Sequence, residues 1–203
     1  MTKQVQTAAP TKKVPHDGKR YSVNPQMAEL IQLIQRWASD RNLLLGSTPL
    51  AQSLKLAEES GELAKGVTKR DKTLIKDAIG DTAVVAIIMA TQMGFDPVGM
   101  LSTGDKGSLL RHGERLAGMT KTYADVSIVG SVQRNVCDIM GVCFDSAQDN
   151  AATLHHDLVN LLLLLKVAAN RYGLTYTECL RFAYNEIKDR KGKMLDGRFV
   201  KEG

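Results

Sequence analysis

Residues 82–90 read TAVVAIIMA, a run without a single charged side chain. Read as a helix it is apolar nearly all round, so it has no face to give to water. Such a helix must lie inside others, and this demand constrains the fold more than any other feature of the chain. Asp77 and Asp81 stand at its start, four residues apart and therefore on one helical face. Asp81 borders the apolar run directly. A carboxylate carried toward a core needs a cation or hydrogen-bond donors nearby.

The surrounding sequence supplies the other helices. Asn24-Pro25 is a helix start, with Met27, Leu30, Ile31, Ile34 and Trp37 following at helical spacing. Residues 41–48 read as a connection, and Ser47, Thr48 and Pro49 restart a helix with Leu50, Leu54, Ala57, Gly61 and Ala64 on its apolar stripe. A polar turn over 65–71 precedes the buried helix, expected over about 74–93 and stopped by Gly94. Further helices are expected over 132–143, 153–172 and 175–188, the last with Thr175 and Glu178 as a capping box. Between 102 and 130 glycine-rich and basic pieces alternate, with a weak helix near 109–116. No segment shows the alternation of a strand. Aromatic residues are 5% of a 203-residue chain, which also favours helix over sheet. The expected architecture is an all-α helical bundle over 23–203 behind a flexible tail, 1–22.

Charge and cysteine content narrow the class. The net charge of +5 suits an anionic ligand but is shared by many ordinary proteins. Cys137, Cys143 and Cys179 are odd in number and lack CxxC spacing, which reads as reduced thiols. The first twenty residues have no apolar core of a signal peptide. The longest apolar runs fall far short of the ~20 residues of a membrane span. A soluble, cytoplasmic protein without membrane contact is expected.

The chemistry concentrates in two adjacent helices. Glu58, Glu59 and Glu62 fall within about a 100° arc of the first. Asp77 and Asp81 share a face of the second, and the short turn between makes the helices antiparallel neighbours. Glutamate on a helix surface is ordinary, so the first group alone points to no more than a solvated face. Facing acids beside a buried helix are different, because four or five carboxylates in one cleft repel unless a cation joins them. Oxygen ligands without His or Cys select Mg²⁺, with Mn²⁺ as a substitute. Such ions bridge phosphate oxygens and activate water.

The run E-E-x-x-E, a spacer, then a carboxylate and G-D on an apolar helix resembles the all-α NTP pyrophosphohydrolase superfamily. That superfamily includes MazG-like proteins, dimeric dUTPases and phosphoribosyl-ATP pyrophosphatase. The last residues, AYNEIKDRKGKMLDGRFVKEG, are similar to the ends of short MazG-like proteins, phage ones among them. The two stretches cover about 27–96 and 174–203. The resemblance implies Mg²⁺, attack by water on a nucleoside triphosphate, and release of pyrophosphate with a monophosphate. It places metal ligands at Glu59 and Glu62, with Glu58 adjacent as ligand or water-orienting base, and at Asp81. Ala78 stands where a glutamate is usual, with Asp77 as the substitute, which leaves the metal stoichiometry open. The catalytic set is then Glu58, Glu59, Glu62 and Asp81, and the metal set Glu59, Glu62, Asp77 and Asp81. The resemblance also assigns the basic segment with Asn185, Lys188, Arg190 and Lys191 to the substrate phosphates, where composition alone reads it as complementing a helix end. Gln52 and Lys55, one and two turns before the acids, and Trp37, the single tryptophan, are candidate substrate-binding residues.

Three further patterns bear on function. Gly99 to Lys106 faintly imitates a phosphate loop, but Asp105 intrudes before the lysine and no strand precedes it. His155 and His156 point about 100° apart on a helix and do not make a metal pair. The segments DAIGDTAVVAIIMATQMGFDPVGML and HDLVNLLLLLKVAANRYGLTYTECL share a pattern at a shift of ~79 residues. That shift sets Asp138 opposite Glu59, Gly141 opposite Glu62 and Asn160 opposite Asp81. A tandem duplication, 23–101 and 102–203, with degenerate acids in the second copy would make one chain a pseudo-dimer; the other expectation is a homodimer. Two rivals to the hydrolase stand beside it. One is a basic helical nucleic-acid-binding protein, motivated by Lys12, Lys13, Lys19, Arg20 and the C-terminal cations, which leaves the acids unexplained. The other is a degenerate family member that binds nucleotides without turnover.

Overall fold

The computed structural model describes residues 24–103, 115, 116, 118–145, 150–195 and 198–201. The tail 1–22, and nearly all of the stretch around 109–116, lie outside them. The described residues form an all-α fold, as the sequence demands. In chain order the helices are α1 (Pro25–Asp40), α2 (Leu43–Gly46), α3 (Pro49–Lys69), α4 (Lys72–Gln92), α5 (Pro97–Thr103), α6 (Lys121–Phe144), α7 (Ala151–Arg171) and α8 (Tyr176–Ile187).

Every residue of α4 from Thr82 to Ala90 is buried. The neighbours that bury it follow from the packing: α3 on one side, α7 on another, with α8 and α1 over the remainder. The long helices close a ring in which α3 also packs on α6, and α6 on α7. The α3–α4 turn is tight because Arg70 takes a left-handed conformation (φ 56°) and Asp71 caps α4, its Oδ1 accepting from the main-chain N–H of Thr73 and Leu74 at 2.9 and 3.1 Å. Two residues between the helices force them antiparallel. Gly80 is fixed by packing, because a Cβ there would run into the carbonyl oxygen of Cys179 on α8.

The ends of α4 and α7 are built alike. Gly94 and Gly173 each turn left-handed, with φ of 72° and 64°. Phe95 N–H donates to Ala90 O at 2.9 Å, and Leu174 N–H to Ala169 O at the same distance. These are Schellman closures, and each is followed by a capped restart, at Asp96 before α5 and Thr175 before α8. Among the described residues α7 is the one helix long and apolar enough to cross a membrane by length and composition; its Leu154, Leu158, Leu161, Leu162 and Leu165 are buried in the bundle.

Five expectations need correction. The stripe Leu50, Leu54, Ala57, Gly61 and Ala64 is not the buried face of α3, since Leu50 and Leu54 are exposed and the face turned inward carries Leu56, Glu59, Ser60, Leu63 and Gly66. The turn expected over 65–71 is helix as far as Lys69. The connection over 41–48 holds a one-turn helix, α2, tied to α4 where Gln92 Nε2 donates to Leu43 O at 3.0 Å. Helix α6 begins at Lys121, not near 132; exposed Tyr123 and Val126 on its first turns mask the stripe made by buried Ala124 and Ile128. The basic C-terminal segment contains strands: β1 (Gly192–Leu195) pairs antiparallel with β2 (Arg198–Lys201), Met194 opposite Phe199. Four-residue strands are too short to display a period of two, although the intervening Asp-Gly is the residue pair a two-residue hairpin loop favours.

Candidate active site

Helix α3 brings Glu62 near Asp77, and Glu59 and Lys55 near Asp81, on the first half of α4; Glu58 and Gln52 share the cavity wall with them. Glu59 is only 6% exposed. Lys55 lies between the first two acids, its Nζ at 2.8 Å from Glu58 Oε2 and 2.7 Å from Glu59 Oε1. Burial opposes the charge of Lys55, but these hydrogen bonds and charges hold its pKa above the ordinary value.

The acids are electrostatically crowded. Burial, then the charges of Glu59 and Asp77, pushes Asp81 from an ordinary 3.8 up to about 7, against the pull of Arg190 and Lys55. Burial and the charges of Glu62 and Glu186 raise Asp77, with Arg190 and Lys76 acting the other way. Glu59 is also raised, by burial first, although Lys55 offsets part of it. In all three, burial is the largest cause and the neighbouring carboxylates add to it.

Glu58, Glu59 and Asp81 open onto a cavity of about 650 Å³ that Lys55 and Arg190 also line. The rest of its lining is largely apolar: Leu43, Leu54, Val84, Val85, Ile88 and Ile187, with Trp37 and Phe199 as aromatic side chains. Gln52 is buried at the wall, its Nε2 donating to buried Ser47 Oγ at 3.0 Å.

Of the residues expected from sequence, Trp37, Gln52, Lys55, Glu58, Glu59, Asp81 and Arg190 thus line one cavity. Glu62 and Asp77 are not on its wall, although the charge of Glu62 is among those that raise Asp77. Asn185, Lys188 and Lys191 do not join them. All three are exposed, and Lys188 contributes its main-chain carbonyl to a contact with Arg41 rather than its ammonium to the cavity. The reason is local: α8 ends at Ile187, and the turn after it sends only Arg190 inward.

Among the described residues no three carboxylate, His or Cys side chains converge on one point as they stand, so Glu59, Glu62, Asp77 and Asp81 do not form a closed ligand cage. Like charges spread apart, and Lys55 draws Glu58 and Glu59 to itself. In kind, the donors fit a hard divalent cation: carboxylate oxygens alone, on two facing helices, with Glu59 and Asp77 acting on Asp81 as like charges.

Sequence reading missed Arg41, the apolar wall and Phe199. Leu43, Val84, Val85 and Ile88 look like any core residue in sequence. Phe199 arrives through the hairpin.

In similarity searches, no family model matches this chain, and no solved structure does. The chain is 50% identical over 72 residues to a protein of Haemophilus phage HP1 (strain HP1c1) described as an "uncharacterized 18.2 kDa protein in rep-hol intergenic region". The match takes in 36% of this chain and 44% of the phage protein's length. The chain is therefore an all-α protein similar to a phage-encoded one.

Proposed function

We propose that the protein is a Mg²⁺-dependent nucleoside triphosphate pyrophosphohydrolase of the MazG-like all-α kind. The observation that carries this reading is one cavity lined both by carboxylates with two cations and by apolar and aromatic side chains. A nucleotide needs both kinds of partner, for a charged phosphate chain and for a flat, weakly solvated base.

Glu59, Glu62, Asp77 and Asp81 would hold the cation, Mn²⁺ serving in place of Mg²⁺. When bound, that ion supplies charge neutralisation on the phosphates and activation of a water. Glu58, exposed at the cavity edge, orients the water and accepts its proton. Arg190 and Lys55 offset the charge of the bound phosphates. Gln52, its amide held by Ser47, offers the base an edge for hydrogen bonding. The apolar wall, with Trp37 and Phe199, excludes water from the bound nucleoside.

One site per chain follows from the second half. Asp138 and Gly141, the counterparts of Glu59 and Glu62, are exposed, and Asn160 shares a hydrogen bond of 2.9 Å with His156. The matching closures at Gly94 and Gly173 support the duplication and the pseudo-dimeric chain. The unconverged carboxylates favour a second reading, a nucleotide-binding protein without turnover. A turnover screen over dNTPs, NTPs and modified nucleotides with Mg²⁺, read as pyrophosphate release, separates the two. Release from at least one substrate supports the hydrolase. Nucleotide binding without release from any of them supports the second reading.

A further inference from the structure

We infer that Arg41 is a positioning residue that sets Arg190 and the C-terminal hairpin over the cavity; this rests on the phosphate-side role given to Arg190 above. The carbonyls at the end of a helix have no intrahelical partner. At the end of α8 and in the turn after it, three carbonyls accept from side chains at the end of α1: Ile187 of the last turn, Lys188 at the cap and Arg190 beyond it. Trp37 Nε1 donates to Ile187 O at 2.8 Å, Arg41 Nη2 to Lys188 O at 3.1 Å, and Arg41 Nε to Arg190 O at 2.9 Å. The guanidinium of Arg41 also lies 5.0 Å from the centre of the Trp37 ring, and Phe199 meets the same ring edge-on at 6.0 Å between centres.

One clasp therefore holds Arg190 and Phe199, the two residues past α8 that line the cavity. The Arg190 main chain is fixed on both sides, its N–H donating to Ile187 O at 2.9 Å and its carbonyl accepting from Arg41. This aims the Arg190 side chain at the acids, whose pKa values register it. Arg41 itself is not on the cavity wall. The planar guanidinium holds two N–H donors at a fixed spacing and direction for two carbonyls of one turn, whereas the three donors of a lysine sit on one nitrogen of a flexible stem.

The test is a double-mutant cycle of Arg41→Ala and Arg190→Ala on the full chain. It is read by calorimetric binding of inorganic tripolyphosphate with Mg²⁺, and in parallel as KM and kcat on a substrate. Arg41→Ala should weaken binding and raise KM about tenfold with kcat changed less than about threefold. Arg41→Lys should recover only part of the loss. In the Arg190→Ala background, Arg41→Ala should add less than about twofold, because it acts through Arg190. Unchanged binding in Arg41→Ala, or losses that multiply across the cycle, would overturn the inference. If Arg41→Ala does not fold, Arg41→Gln carries the same cycle. Binding without turnover by the wild type would sink the hydrolase reading and leave the cycle readable on affinity. No binding by the wild type would sink both.

Discussion

Replacing Asp81 by Asn should stabilise the protein in chelator while destroying its chemistry. Asp81 titrates near 7 in the fold, against an ordinary 3.8, because it is buried and faces Glu59 and Asp77. A folded-state pKa above the unfolded one means the fold binds the proton more tightly, so stability falls as pH rises from the ordinary value through about 7. A rise of this size corresponds to about 4 kcal/mol once the group is fully ionised. Asp81 stands at an open cavity, and solvent screening brings the expected gain nearer to ~2 kcal/mol. For a domain of this length that is roughly 5 °C in Tm. Thermal melts of both proteins in EDTA at pH 5 and pH 8 measure it. Asp81→Asn should melt higher at pH 8, with a smaller gain at pH 5 where Asp81 is mostly protonated. Excess Mg²⁺ should stabilise the wild type more than the variant. An equal gain at both pH values, or a loss at pH 8, would refute the crowded-carboxylate reasoning.

Glu62→Gln should lower kcat by at least about a hundredfold with the helical circular dichroism unchanged; near wild-type turnover at saturating Mg²⁺ would remove Glu62 from the metal set. Gly80→Ala should cost about 1–3 kcal/mol, seen as a lower Tm, since the added methyl meets the Cys179 carbonyl, which is backbone and cannot step aside. Deleting the residues after Ile187 removes Arg190 and Phe199 together, and should raise KM at least about tenfold with the helical circular dichroism retained. An unchanged KM in that truncation would deny the segment any part in binding phosphate.

What could be seen in advance follows a physical division. The burial of α4 was legible because a helix without a polar face has one place to go. The acids were legible because i, i+3 and i, i+4 spacing sets a helix face by itself, and the polar turn set α3 against α4. The capping box at Thr175 and the glycine closures are local chemistry, and they formed as read. The contacts of Trp37 and Arg41 with the turn after α8 join residues about 150 positions apart, and no local pattern encodes them. The same holds for the apolar wall, since a valine facing a cavity and a valine facing another helix have the same neighbours in sequence. Lys188 and Lys191 looked equivalent to Arg190 as charges in a run. The turn after α8, which sequence did not resolve, chose among them.

Hydrolysis in ¹⁸O-water with short sampling times tests the proposed reaction most directly. The site offers carboxylates and no nucleophilic Cys or Ser–His pair on the cavity wall, which points to direct attack by water. Label should enter the nucleoside monophosphate, pyrophosphate should appear intact, and no diphosphate should accumulate early. Early diphosphate with free orthophosphate would contradict the pyrophosphohydrolase and make the protein a stepwise phosphatase. Label found only in the pyrophosphate would keep the cut and move the attack to the β phosphorus.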